Sequence, residues 1–252
     1  MSLAVVVICE HRVRGMRVVT VHHLNEQGRL VSTTPADLVG VRLEECLPPT
    51  DPVAYHGRPG KLSKWWSATT GGHVVCGSLR RRRVALELDF DPDVAWIGGE
   101  PVELRWQGAR GKRRLRPDFM VRTVDGARHA VVVEPDRCGP QWREDLEVLH
   151  GVAAAACWQV SVRRAPEGVR LENLELAGDY RQPMAIPAAE QAALEAAFDR
   201  ERPIHEAVLA SGVPTALATD LAYRLVWQRR LRIHWDRPLG LWALARLAGD
   251  AA

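Results

Sequence analysis

Two carboxylates in the middle of this chain stand where an oxygen-loving cation could be held. Asp118 follows Pro117 and precedes Phe119. Sixteen residues later Glu134 closes the run Val131-Val132-Val133, just before Pro135. A carboxylate after a proline, a turn at Asp125-Gly126, then an apolar strand ending in a charge is the layout of a metal-dependent nuclease core. In such a core two or three carboxylates hold Mg²⁺ through oxygen. The ion polarises the scissile phosphate and activates water. Without it, paired carboxylates repel and one pKa rises.

The full pattern asks for an acid on the preceding helix, Asp after Pro, and (Asp/Glu)-x-Lys on the next strand. Asp118 fits the second position. At the last, Val132 stands for the acid and Glu134 for the lysine. Loss of a positioned acid or base costs about 10²–10⁴ in rate. The chain has only Lys61, Lys64 and Lys112. Along a regular strand Lys112 lies about 20 Å from Asp118 and does not reach; Lys61 and Lys64 sit in a loop and stay open. On spacing alone Asp118 also reads as a solvated turn carboxylate, and Glu134 as a strand-end charge; for Glu134 the spacing favours the latter.

The cations cluster. Arg80-Arg81-Arg82-Arg83 form one run; Arg110, Lys112, Arg113, Arg114 and Arg116 form a second, acid-free one. Either suits phosphate, which arginine binds in bidentate fashion, and the second is a candidate for backbone contact with DNA. A solvated helix face is the plainer account of the first. Arg224, Arg229 and Arg230 mark a third cationic stretch near the C-terminus. Trp65-Trp66 suits core packing better than base stacking. The histidines show no ligand spacing.

Several elements must position these groups. Residues 17–23 and 29–33 predict a hairpin, and 47–61, rich in Pro and Gly, a connecting loop. Residues 77–90 predict a helix ended by Asp91-Pro92. Residues 94–106 read as strand, turn at Gly98-Gly99, strand, and 115–124 as one strand. The valine run through Glu134 predicts a strand buried on both faces. A helix over 140–157 and a strand over 158–164 follow. Helix, three strands, helix, strand is an α/β sandwich around a small mixed sheet. Beyond Pro183 three short helices (188–200, 203–211 and 214–230) and a strand at 231–235 resemble a helix-turn-helix with a wing. Three units are expected: 1–60, 61–180 and 186–252.

Composition sets bounds. The 252 residues are 46% hydrophobic, enough to bury a core, and the net charge is only +3. Five cysteines without a C-x-x-C pair argue against a zinc site or disulfide framework and for a reducing, cytoplasmic location. No apolar run approaches the roughly 20 residues of a membrane span. Residues 3–9 make a poor signal peptide, and Met16 is an alternative start.

Taken together, several segments resemble the TnsA-like transposase endonuclease subunits, particularly the actinobacterial type. These are Trp65-Trp66-Ser67-Ala68-Thr69-Thr70-Gly71-Gly72-His73-Val74, Leu88-Asp89-Phe90-Asp91-Pro92-Asp93-Val94, Glu100-Pro101 (usually Gln-Pro in the family), Arg116-Pro117-Asp118-Phe119-Met120-Val121, and 221–238. The resemblance covers roughly residues 55–245. It implies a restriction-endonuclease-like fold, Mg²⁺ chemistry, a single-strand cut at a transposon end, and a DDE transposase partner. The chain departs at the catalytic positions: the helix acid falls at Arg81, and Val132 and Glu134 replace the acid and the lysine. Glu87 lies about 240° round the helix from Arg81 and is no simple stand-in. The expectation is therefore a degenerate member that binds DNA without cutting, in which Arg81 grips phosphate. The rival expectations are a working endonuclease with a rearranged site of Asp118, Glu134 and Lys61 or Lys64, and a winged-helix regulator.

Overall fold

A computed structural model describes residues 18–49, 63–109 and 111–249. The alternative start at Met16, Lys61, Arg110 and most of the 47–61 loop lie outside the described residues. The chain is mixed α/β. It opens with the expected hairpin, β1 (Val19–Leu24) and β2 (Leu30–Thr33), antiparallel around a turn at Gly28. A second hairpin, β3 (Ser63–Ser67) and β4 (Gly72–Cys76), leads into the helix α1 (Leu79–Phe90).

The stretch after α1 departs from the expected strand–turn–strand. β5 (Val94–Gly99) and β6 (Val102–Gly108) are both present, but the turn falls at Glu100-Pro101, and the two strands enter different sheets. Gly98 and Gly99 are strand residues whose lack of a side chain serves close approach. A Cβ on Gly98 would lie 2.2 Å from the Glu44 carbonyl oxygen, and one on Gly99 2.4 Å from that of Val75. The strand expected over 115–124 is β8 (Phe119–Thr123), which begins only after Pro117, and an unexpected strand, β7 (Gly111–Leu115), precedes it. Lys112 therefore sits on β7 in a different sheet from the one Asp118 leads into. β6 pairs with both β1 and β7, so the N-terminal hairpin joins the sheet β2-β1-β6-β7.

The valine run is β9 (Arg128–Val133), followed by α2 (Pro140–Ala155) and β10 (Gln159–Arg163). β9 lies inside the sheet β10-β9-β8-β5, parallel to β10 and antiparallel to β8. Both its faces are covered, as a continuous apolar run requires. Val131 and Val133 pack with α1 residues such as Val84 and Leu88. Ala130 and Val132 pack with Leu149 and Val152 of α2 and with Leu104 of β6.

An unexpected helix follows, α3 (Gly168–Asp179). It buries one face, Leu171, Asn173, Leu174, Ala177 and Gly178, but a polar and a glycine residue on that face leave no continuous apolar stripe in the sequence. A Cβ on Gly178 would lie 2.9 Å from Leu86 Cδ1 of α1 and 3.3 Å from a ring carbon of Trp227. The remaining elements are α4 (Ala188–Ala196), β11 (Arg202–Pro203), α5 (Ile204–Ala210), α6 (Thr215–Trp227), β12 (Leu231–Ile233) and β13 (Leu244–Leu247). The strands form a small antiparallel sheet ordered β11-β13-β12. The boundary expected near 178–186 falls from the end of α3 into the connection to α4, and one apolar core runs across it. Phe90 at the end of α1 meets Trp227 at 5.3 Å and Trp235 at 4.9 Å. Among the described residues no helix is long and apolar enough to cross a membrane.

One buried acid explains why residues 65–70 and 88–92 belong together. Asp89 accepts hydrogen bonds from Trp65 Nε1 (3.2 Å), Ser67 Oγ (2.7 Å), the Ala68 amide (3.0 Å) and the Thr69 amide (2.9 Å). The β3–β4 turn is thus clamped to the last turn of α1, and buried Trp65 takes the packing role expected of it. Asp89→Ala leaves these donors without a partner and should cost about 3 kcal/mol or more in a urea unfolding titration.

Candidate functional site

The first turn of α1 is electrostatically odd. Ser78 caps it, its Oγ accepting from the Arg81 amide at 3.2 Å. The turn then carries Arg80, Arg81 and Arg82 and no acid. A helix N-terminus carries partial positive charge and favours anions, so arginines there need carboxylates from elsewhere in the fold.

Arg81 finds two. Its Nη1 donates to Glu100 Oε1 at 2.7 Å, and its Nε pairs with Asp118 Oδ1. The other Asp118 oxygen, Oδ2, accepts from the Val133 amide at 2.5 Å. The Glu100 amide in turn donates to the Asp118 carbonyl oxygen at 3.0 Å. Both acids are buried, at 5% exposure for Asp118 and 6% for Glu100, whereas about a third of the Arg81 side chain meets solvent. The cluster thus joins α1, the β5–β6 turn, the entry to β8 and the end of β9.

Two backbone features make room for it. Glu100 has φ +48°, in the left-handed region that costs a non-glycine residue about 1–2 kcal/mol. The turn that imposes this aims its carboxylate at Arg81. At Gly77 a Cβ would lie 2.3 Å from Arg81 Nη1 and 2.7 Å from Glu100 Oε1, so a side chain there would occupy the ion pair's space.

Burial pushes the Asp118 pKa above the ordinary carboxylate value, with Arg81 and the Val133 amide pulling against it. The nearby Cys76 thiol is pushed up to about 12, chiefly by burial, so it stays protonated and is no nucleophile.

The carboxylates brought together are therefore Asp118 and Glu100, not Asp118 and Glu134. Glu134 follows the end of β9, on the face opposite Val133 by strand alternation. Its amide donates to the Arg163 carbonyl at 2.9 Å, and its carboxylate accepts a weak contact from Cys138 Sγ at 3.7 Å. It makes no ion pair with Arg81. Lys64 is exposed on β3 and bonds to none of the cluster. Glu87 pairs with Arg170 at 3.0 Å.

A divalent cation does not fit this arrangement. The guanidinium already stands between the two acids, and Asp118 has both oxygens engaged. Among the described residues no three His, Cys, Asp or Glu side chains converge on a common point. What the cluster does chemically is neutralise charge and fasten four chain segments.

The other predicted cations divide into engaged and free. Arg80 pairs with Asp136, and Arg82 lies over the Trp65 ring at 5.6 Å. Arg83 is exposed on the same helix. Arg113 Nη2 reaches both oxygens of Asp145 on α2 at 2.9 Å. Arg116 binds Glu103, which is 1% exposed and also holds Arg105. Lys112 and Arg114 stay exposed on β7, with Arg114 directly opposite Arg105. The arginines in and just beyond α6 all have internal partners. Arg224 donates to the Gln182 carbonyl, Arg230 pairs with Glu195 at 2.7 Å, and Arg229 donates to the Phe90 carbonyl with its guanidinium over that ring at 5.5 Å.

The sequence marks Glu100-Pro101 only as a family-like dipeptide and gives Glu100 no place in the site. Replacing Arg81 tests the cluster. Arg81→Met strands two buried carboxylates and should cost about 3 kcal/mol near neutral pH. An acid whose folded pKa is raised holds more protons folded than unfolded between its two pKa values. Stability therefore falls as pH rises through that window. The deficit of Arg81→Met against the parent chain should accordingly shrink as pH is lowered from neutral toward the carboxylate range, read by thermal melting.

No protein-family model matches the chain, and no curated protein matches it.

Proposed function

We propose that the chain is a nuclease-like scaffold without nuclease chemistry, of the TnsA-like kind, which holds DNA beside a DDE transposase subunit. The observation that carries this reading is the Arg81 guanidinium bridging Asp118 and Glu100. In a metal-dependent nuclease the position beside the post-proline aspartate belongs to a cation that reaches phosphate and water. Here that position is filled by a side chain of the same charge sign, with no water-activating ability and no open coordination site. Of the two lysines the working-endonuclease reading calls on, Lys64 is exposed on β3 and bonds to none of the cluster.

The arrangement of elements supports the restriction-endonuclease-like fold. α1, β5, β8, β9, α2 and β10 follow in the order helix, three strands, helix, strand, with β6 and β7 as an excursion into the second sheet. α1 and α2 contribute to the cores on opposite faces of the mixed sheet. Likewise, the order α4, β11, α5, α6, β12, β13 with the sheet order β11-β13-β12 supports a winged-helix fold at the C-terminus. A self-standing regulator is the weaker reading, because the core is continuous from α1 through α3 to α6.

The Arg81 geometry alters the expected grip on phosphate. Two donors of that guanidinium are committed to carboxylates, so backbone contact falls to cations left exposed, such as Arg83, Lys112 and Arg114. Each phosphate contact adds about one unit of salt dependence.

Supercoiled plasmid incubated with the chain and Mg²⁺ or Mn²⁺ should remain supercoiled, while a labelled duplex binds at low salt and is released as salt rises. Nicking that disappears in Asp118→Ala would overturn the loss of activity. Absence of duplex binding at low salt would overturn the DNA reading.

A further inference from the structure

The small C-terminal sheet carries a cationic pair that nothing else in the fold explains. Arg232 on β12 and Arg246 on β13 stand directly opposite each other in the antiparallel register. Both are exposed, and neither has an ion-pair partner among the described residues. Like charges directly opposite across strands repel. Many of the chain's arginines are matched with acids: Arg113 with Asp145, Arg122 with Glu44, Arg230 with Glu195. On the hairpin three arginines, Arg232, Arg237 and Arg246, stand against one acid, Asp236, between residues 231 and 249. Arg237, in the connection between the strands, is exposed and unpaired too.

The same connection presents an exposed aromatic. Trp242 is 78% exposed, while Trp65, Trp106, Trp158 and Trp227 are all buried. Its ring lies 4.0 Å from that of His205 at the start of α5, which braces it from behind. An indole held outward beside unpaired guanidiniums combines a stacking plane with charges for a polyanion. The later part of α6 is less available: Leu221, Ala222, Tyr223, Leu225, Val226 and Trp227 are buried, and Arg224 is held by the Gln182 carbonyl.

We propose that the β12–β13 hairpin, through Arg232, Arg246, Arg237 and Trp242, is the surface by which the C-terminal unit contacts the DNA backbone. The arginine pair straddles a phosphate, which relieves their mutual repulsion, and Trp242 lies against the adjacent sugar or base. This rests on the DNA-binding reading above and names the residues that carry it.

The test uses the full chain and a short fluorescein-labelled duplex, with affinity followed by anisotropy over a salt series. Arg232→Ala/Arg246→Ala should weaken binding and lower the slope of log affinity against log salt by about two. Arg232→Lys/Arg246→Lys should restore the slope. Trp242→Ala should weaken binding about tenfold with the slope unchanged. Thermal melts equal to the parent chain show that each variant is folded. If the parent binds and the Ala/Ala variant binds equally with the same slope, the hairpin proposal fails and the DNA reading stands. If the parent chain binds no duplex at low salt, both fail.

Discussion

The contact between Arg81 and the two buried acids Asp118 and Glu100 is the constraint on which the site and much of the fold depend. It fixes the N-terminal turn of α1 to the β5–β6 turn and to the start of β8. At its other end α1 is fixed by Asp89, which takes four donors from β3 and the β3–β4 turn, and by Arg229, which donates to the last carbonyl of the helix. One helix is thereby tied by charge to the mixed sheet, to a hairpin in front of it and to the C-terminal helices behind it. The apolar core supplies most of the burial, but burial is not directional. The charged ties set where α1 begins and ends.

Strong local patterns were legible in the sequence. The valine run before Glu134 could only be a strand covered on both faces, and it is. The N-terminal hairpin announced itself through β-branched runs around a glycine turn. The pattern failed where long-range packing overrides local signals. Gly98 and Gly99 look like a turn but serve the approach of two backbones, which no short stretch of sequence reveals. α3 buries one face, but Asn173 and Gly178 lie on it, so the period of apolar residues had little to report.

The site was half legible for a related reason. Asp118 stood out through its proline and its spacing. Glu134 was offered as its companion because it ends the next strand, yet alternation along β9 directs it away from the α1 face. Glu100, the true companion, lies in a turn between strands of two different sheets and takes a left-handed conformation. Proximity created by a strained turn leaves little trace in composition. The arginine runs show the same limit: Arg113, Arg116, Arg224, Arg229 and Arg230 all look like nucleic-acid contacts in sequence and all have partners within the chain. Counting cations overstates a binding surface wherever buried acids claim them.

Asp118 and Glu100 are both buried and both reach one cation. Without it, two buried carboxylates would be uncompensated, which is strongly destabilising. Arg81 supplies the compensation from the first turn of α1, because a guanidinium offers fixed donors to both acids at once and cannot lose its proton. The arrangement also needs Gly77, whose missing side chain leaves the guanidinium its space. Arg81, Glu100, Asp118 and Gly77 therefore form one unit: changing any of them alone either unpairs a buried charge or crowds the pair. That mutual dependence makes the cluster a structural tie between α1, the β5–β6 turn and the entry to β8.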